Sequence, residues 1–508
     1  MKPPGDLLER VERLLDSRPV GWQHAHGGYS IAERWSLDLE DGRRVFAKMA
    51  PTDDLATRLR DEYTNMSAIK ADYRCEIYAW EDGARPLLVL EDLSKGRWPP
   101  PWEPSDVERV IATLERVWST PPPEHMQDAR RFLEMFSGWE RIREDPDGFL
   151  SLGIASRDWL DASLDVLADA ARRAPLEGSE LLHLDVRSDN MCFAGDRIVL
   201  VDWNWASLGP RNLDLACWLP ALRLEGGPLP EEVAPGLGEY AAGVAAFFAS
   251  YAHLPAPEGA PTVRRFQLRQ LRIALPWACR ELGLPRPELG DVTAEIEDAN
   301  ADVEAGQITE DEWYARIEEP LADAYLSHEE PWRQSGKGGD DAEWRWGREL
   351  ALDVVQDGDA VLDVGCANGY LMESFHRWGA ERGVRVEPYG VDISWRLASL
   401  ARRRLPQWAD RIYDANVMRW TPPRRFDVVH TALDYMPTFK RREHIERVLR
   451  DFLVPGGRVV LRGARMPKGP DPAKELEDCG YRPDGIIDSR HPETNEVRRT
   501  AWLRSPLP

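Results

Sequence analysis

The sequence predicts two domains of different class, an α+β domain followed by an α/β domain built on a parallel sheet. Three observations carry this. The chain is 508 residues long, more than one ordinary core accommodates. Its first half opens on alternating apolar and polar residues and then turns mainly helical, whereas beyond residue 310 strand and helix patterns alternate to the C-terminus. Between the two runs ELGDVTAEIEDANADVEAGQITEDE (288–312), acidic and polar. The expected division is 1–290, a linker or helix over 291–310, and 311–508.

In the first part, residues 25–50 (AHGGYSIAERWSLDLEDGRRVFAKMA) alternate and carry an Asp-Gly turn, as a hairpin should. LATRLRDEYTNMSAIKA has helical spacing, and RPLLVLEDL reads as a short buried strand. The prolines of GRWPPPWEP bar a helix or a central strand there. From Ser105 to Arg286 the pattern is mainly helical, broken by strand-like pieces around residues 181–202.

Composition narrows the function classes. A formal net charge of −23 argues against an obligatory nucleic-acid partner, although a local basic patch can survive in an acidic chain. The six cysteines are scattered without CxxC or His/Cys metal spacing, which suits reduced thiols in the cytoplasm. MKPPGDLLERVERLL lacks the basic-then-apolar build of a secretory signal. YAAGVAAFFASYAHL falls short of a bilayer span and reads as a core helix, so no membrane partner is expected.

The chemistry of the first domain is concentrated in HLDVRSDN (183–190) and IVLVD (198–202). Buried carboxylates are costly unless paired or bound to a cation. Phosphoryl transfer from a nucleoside triphosphate asks for a carboxylate to orient the acceptor hydroxyl, and for oxygen ligands that hold Mg²⁺ on the phosphates. Asp185 suits the first task, Asn190 and Asp202 the second. Upstream, Gly27, Gly28 and Ser30 can turn a hairpin closely over phosphates. Lys48, ending VFAK, can reach the α and β phosphates, with Glu62 as its helix-borne partner. VLEDL (89–93), with Glu91 and Leu93, reads as the connection between two lobes whose backbone meets the adenine. His183 reads as a loop brace rather than a base, and Arg187 either screens phosphate charge or pairs with Asp189.

These motifs, in this order over residues 10–285, resemble the aminoglycoside phosphotransferase family. VDWNWASLGPRNLDLACWL fits its metal-Asp segment, with Asp214 as a downstream structural residue. The resemblance implies a protein-kinase-like bilobal fold and phosphorylation of a small-molecule hydroxyl by ATP or GTP. No activation segment of the protein-kinase kind follows Asp202, which disfavours a protein substrate. The acidic stretch 288–312 suits either a polycationic acceptor or a solvated linker.

In the second domain, AVLDVGCANGYLMESF places D-x-G-x-x-x-G between a strand and a helix. Asp363, Gly365, Cys366 and Gly369 surround a turn open to close approach, beside a helix N-terminus that favours a carboxylate. Both charges of an amino-acid tail suit that place. A second strand ends at Asp392 and Ile393, where a carboxylate accepts ribose hydroxyls. Asn416 or Asp414 can recognise an adenine amino group, with Val417 on the ring. His430, Asp434 and Tyr435 emerge at the carboxyl end of the fourth strand, either as pocket lining or as groups that orient a methyl acceptor. With VPGGRVVLRG as a fifth strand, residues 305–508 resemble class I S-adenosylmethionine-dependent methyltransferases, which implies a Rossmann-like fold and that methyl donor. Asn416 stands where the family usually has an acidic residue.

The expected function is therefore a bifunctional transferase acting on small molecules, in natural-product or antibiotic modification. One alternative is a single methyltransferase activity with a kinase-like lobe that only binds nucleotide or substrate. RNA modification is a third reading, supported by the arginines of LARRRLP and KRREHIERVLR, which exposed helix faces explain equally well.

Overall fold

Backbone contacts divide the chain into two units, Met1–Gly290 and Asp291–Pro508, and each is described by itself. The computed structural model describes residues 2–25, 32–103, 105–257, 260, 263–287, 293–336, 339–467, 469–491 and 494–506, with the side chains of 293–298 left aside.

The first unit opens with an antiparallel sheet of β1 (Pro19–His24), β2 (Glu33–Leu39), β3 (Arg44–Met49), β4 (Ile77–Glu81) and β5 (Leu87–Glu91), in the order β1-β2-β3-β5-β4. The Asp41-Gly42 turn closes β2 onto β3. Gly42 takes φ +87°, and Asp41 Oδ1 accepts the Arg43 amide at 2.9 Å. Alternation then sorts the side chains of β3. Val45, Ala47 and Met49 pack with Trp35, Leu37 and the helix Gly5–Leu15, so Lys48 points to the opposite face. The helix Asp53–Ala68 buries Ala56, Leu59, Glu62, Asn65 and Met66, a three-to-four spacing that turns Glu62 inward.

The rest of this unit is helical. Asp106–Trp118, Arg157–Arg173, Asn212–Leu224, Gly238–Tyr251 and Val263–Leu282 surround two short antiparallel ribbons. One pairs β6 (Glu180–Leu182) with β9 (Ser207–Gly209), the other β7 (Met191–Ala194) with β8 (Arg197–Leu200). The alanine-rich helix Gly238–Tyr251 is buried on nearly every side. At 14 residues it spans ~21 Å, short of the ~30 Å of a hydrocarbon core. Among the described residues no helix is long and apolar enough to cross a membrane.

The second unit carries an eight-stranded sheet. β10 (Asp359–Val364), β11 (Val386–Asp392), β12 (Ile412–Asp414), β13 (Phe426–Thr431) and β14 (Leu453–Leu461) are parallel, in the order β12-β11-β10-β13-β14. β15 (Ala464–Met466), β16 (Gly485–Arg490) and β17 (Val497–Arg504) complete it, β17 running antiparallel to β14, β15 and β16. Every residue of β10 is buried, as a central parallel strand requires. Residues 293–304 and 310–326 are helical, the latter capped by the reciprocal Thr309–Glu312 bonds. Register brings Asp363, Asp392 and His430 to the carboxyl ends of neighbouring strands, where open α/β sheets bind ligands.

Candidate active sites

The loop from His183 to Asn190 is held from beneath. Asp214, fully buried, accepts the Leu184 amide at 2.6 Å, the His183 amide at 3.1 Å and Trp118 Nε1 at 2.9 Å. These bonds support Leu184 at φ +62°, a left-handed conformation that a branched side chain rarely adopts. His183 Nε2 donates to the Val201 carbonyl (2.9 Å), while Nδ1 takes the Asp185 amide (3.3 Å). Both ring nitrogens are thereby committed to the backbone, and the ring is a brace.

Asp185 stands above this brace. Asn190 Nδ2 donates to its carbonyl (2.9 Å) and to its Oδ2 (2.8 Å), which turns the Asn190 amide oxygen the other way. Arg187 holds Oδ1 at 2.9 Å and grips Asp189 with its Nε and second amino group. Burial raises the Asp185 pKa, with Arg187 opposing. Asp202, at φ +61°, is delivered just beyond β8. Lys48 Nζ bonds Glu62 Oε2 at 2.6 Å and also contacts Asp202. Burial works against the Lys48 charge, yet the Asp202 and Glu62 carboxylates outweigh it and lift its pKa. Burial also lifts Glu62, while at Asp202 the same push is overcome by Lys48 and the pKa falls.

Lys48, Glu62, Asp185, Arg187 and Asp202 all line one cavity of about 830 Å³. Gly27, Gly28 and Ser30 lie outside the described residues. Glu91 and Leu93 are placed away from this cavity's lining. The Glu91 carboxylate pairs with Arg197, and the Leu93 carbonyl accepts the Gly96 amide (2.9 Å) and Trp98 Nε1 (3.2 Å). Sequence reading missed Glu225, which takes Ser188 Oγ and Trp102 Nε1 (2.9 Å) beneath the same loop. Burial pushes Glu225 up to about 7. Nothing local marks it, because its partners lie 37 and 123 residues away.

In the second unit the glycine turn is fastened to β11. Asp392 Oδ2 accepts the Ala367 amide and Oδ1 the Ser394 amide, each at 2.8 Å. Burial raises Asp392 to about 7, with these two amide bonds opposing. Asp363 Oδ1 meets His430 Nδ1 at 2.9 Å across the β10–β13 pair, both side chains buried. His430 therefore turns its Nδ1 to the Asp363 carboxylate rather than to the carboxyl end of the sheet. Gly365 takes φ +73°, and a Cβ there would lie 2.7 Å from the Tyr435 ring, so that ring rests directly on the turn. Gly369, at φ +75°, packs against Leu405 and starts the helix Tyr370–Glu381.

Around this turn the other predicted residues are spread. Cys366 is buried, and its thiol is driven up by burial. Ile393 is 39% exposed beside Asp392, and Val417 is buried. Asn416 Oδ1 accepts the Met418 amide at 2.9 Å, which commits that oxygen to the local turn. Asp434 is exposed and pairs with Arg462, which also lies 5.5 Å over the Tyr435 ring. Asn368 was not singled out, though it sits inside the motif. It is fully buried, and bonds Ser335 Oγ (2.6 Å), Gln334 Oε1 (2.9 Å) and the Pro331 carbonyl (3.0 Å).

Comparison with known proteins matches a separate family model within each unit. Residues 21–247 match the model of the phosphotransferase enzyme family, and residues 361–457 that of a methyltransferase domain. Relatives include tRNA U34 carboxymethyltransferases of Tolumonas auensis (26% identical over 191 residues, 32% of this chain and 57% of the relative) and Methylococcus capsulatus (28% over 196 residues, 32% and 58%). The chain thus spans little more than half the length of these two relatives. Among solved structures, a thermostable aminoglycoside phosphotransferase mutant with ADP and hygromycin B is 13% identical, covering 55% of this chain and 98% of its own, at a TM-score of 0.37. The 1,6-didemethyltoxoflavin-N1-methyltransferase of Burkholderia thailandensis is 17% identical, covering 39% and 91%, at a TM-score of 0.30. The chain joins a kinase-like domain of the phosphotransferase enzyme family to a methyltransferase domain.

Proposed function

We propose that the protein is a bifunctional transferase that phosphorylates a small-molecule hydroxyl with ATP and methylates a small molecule with S-adenosylmethionine. The observation that carries the first half is Lys48, Asp185 and Asp202 at one cavity, with Asn190 bonded to Asp185. Asp185 orients the acceptor hydroxyl and takes its proton, a contribution of ~10²–10⁴-fold. Its burial-raised pKa suits a group that receives a proton.

Asn190 and Asp202 offer hard oxygen donors of the kind Mg²⁺ takes alongside nucleotide phosphates. Among the described residues no cluster of three or more His, Cys, Asp or Glu is placed to hold a metal alone. Mg²⁺ held there with a nucleotide would neutralise phosphate charge. Lys48, now held by Glu62 and Asp202, is the cation in reach of the phosphates.

For the second half, Asp363 and the Gly365–Gly369 turn receive the amino-acid tail of the donor. Asp392 accepts the ribose hydroxyls, and Ile393 and Val417 flank the adenine. Transfer to a good nucleophile then needs mainly proximity. Calorimetric titration of the full chain with ATP·Mg²⁺ and, separately, with S-adenosylmethionine tests the halves independently. A flat titration removes that half.

The likeness to tRNA-acting relatives favours a second reading, in which the methyltransferase domain accepts a tRNA. Its arginine-rich stretches offer limited support, because several of these side chains already bond within the domain. Arg402 donates to the Ile412 carbonyl (2.8 Å), Arg404 to Glu373 (2.9 Å), Arg442 to Glu446 (2.9 Å) and Arg447 to the Trp420 carbonyl (2.7 Å). Methyl incorporation from labelled S-adenosylmethionine into bulk tRNA, absent with small hydroxyl and amine acceptors, would favour the tRNA reading.

A further inference from the structure

We infer that the phosphoryl acceptor is a predominantly apolar hydroxyl compound, neutral or anionic, rather than a polycationic amino sugar, and that Arg264 receives its carboxylate or other acceptor group. This rests on the phosphotransfer reading of the same cavity and adds the substrate class to it.

The cavity beside Asp185 has the size of a drug-like ligand site, about 830 Å³. Its walls away from the transfer residues are apolar and largely aromatic, with Phe132, Phe136, Val244, Phe247 and Phe266 among them. They are carried by helical segments that are far apart in the sequence. Ammonium groups placed against such walls lose their hydration, at a cost of several kcal/mol per ion unless carboxylates replace the water. Those carboxylates are missing from the described lining. Glu62, Asp185 and Asp202 belong to the transfer machinery, and the remaining one, Asp54, pairs with Arg58 at 3.2 Å.

The charge that does face this space is positive. Arg264 lies 5.7 Å over the Tyr251 ring and is held by two neutral oxygens, Gln267 Oε1 at 2.8 Å and the Pro255 carbonyl at 3.1 Å. No carboxylate pairs with it among the described residues. A guanidinium held in this way keeps its capacity for a bidentate bond to a ligand carboxylate. Nearly two turns further along the same helix, Gln270 is 1% exposed and its Oε1 has no hydrogen-bond partner. A buried acceptor without a donor is costly, and a ligand hydroxyl would relieve it.

The full chain is titrated calorimetrically, without nucleotide, with three probes: cholate (apolar, hydroxylated, anionic), estradiol (apolar, neutral) and kanamycin (polycationic). A separate ATP·Mg²⁺ titration reports on the phosphotransfer reading alone, so its failure is distinguishable from failure of the acceptor class. The expected result is binding of at least one apolar probe, no binding of kanamycin, and about tenfold weaker cholate binding in Arg264→Ala. Arg264→Glu serves as the second variant and weakens cholate further. Kanamycin binding more tightly than both apolar probes, absence of binding by both, or cholate affinity untouched by either Arg264 variant overturns the inference.

Discussion

Asp214 Oδ1 accepts the Leu184 amide at 2.6 Å, and so holds a left-handed residue directly between the brace His183 and the candidate base Asp185. Asp214→Ala strands three buried donors, the amides of His183 and Leu184 and the Trp118 indole. The expected loss is ~3 kcal/mol of stability, with Asp214→Asn milder because its amide oxygen still accepts. Urea denaturation followed by tryptophan fluorescence measures both variants.

Asp185→Asn keeps the shape of the loop but removes the proton acceptor. Phosphoryl transfer should fall by ~10²–10⁴-fold while ATP·Mg²⁺ affinity stays largely intact. Methyl transfer, housed in the other unit, should persist. Single-turnover assays with labelled ATP and labelled S-adenosylmethionine on one preparation decide this, and loss of both activities together would point to misfolding instead.

Lys48→Met leaves the buried Glu62 carboxylate facing Asp202 without its cation. Removing one partner of a buried pair costs ~3–5 kcal/mol. The loss should depend on pH. Glu62 already titrates above its ordinary range through burial, so the folded state keeps a proton that the unfolded chain has released. Stability therefore falls as pH rises above the unfolded value, and Lys48→Met should be less impaired at pH 6 than at pH 8. Denaturation midpoints at the two values give the comparison.

If Asp392 receives the donor ribose as proposed, donor binding is expected to depend on pH in the opposite sense. Burial raises it to about 7, and the charged form is the one that accepts hydroxyls from a ribose. S-Adenosylmethionine affinity should climb between pH 6 and pH 8, and Asp392→Asn should be weaker and flat across that range. Calorimetry at three pH values shows the slope or its absence. Folding stability runs the other way, since the protonated carboxyl is retained only in the folded state between its unfolded value and about 7.

Gly365→Ala meets two obstacles at once, the φ of +73° and the Tyr435 ring 2.7 Å from the new Cβ. The left-handed conformation alone costs ~1–2 kcal/mol. Adding Tyr435→Ala should recover the steric part and leave the backbone part, so the double variant falls between the single variant and wild type. Thermal unfolding with and without S-adenosylmethionine reads this ordering.

How much of this was legible in the sequence depended on distance along the chain. HLDVRSDN and DVGCANG are local, and their residues meet around one loop each, so their juxtaposition could be read from spacing. The first parallel strand announced itself by the apolar run before Asp363, and the second by the short segment PYGVD that ends in Asp392. The apolar cavity was not legible, because Phe132, Val244 and Phe266 are far apart in sequence and share a wall only after the helices pack. Tyr435 illustrates a different gap. Its position after the fourth strand was readable, but its contact with Gly365 depends on how the chain leaves that strand. At Glu91 and Leu93 the apolar pattern identified a strand and its exit, yet not that Arg197, Gly96 and Trp98 would engage them.

The place of β17 bears on how the second unit is assembled. Its residues pair along one edge with β14 and β15 and along the other with β16. A nascent chain halted before Val497 would leave β14 as an unsheltered sheet margin, and β15 and β16 with nothing to bond to. Closure of this sheet thus waits for residues 497–504, and without them the margin of β14 stays open to pairing with other chains.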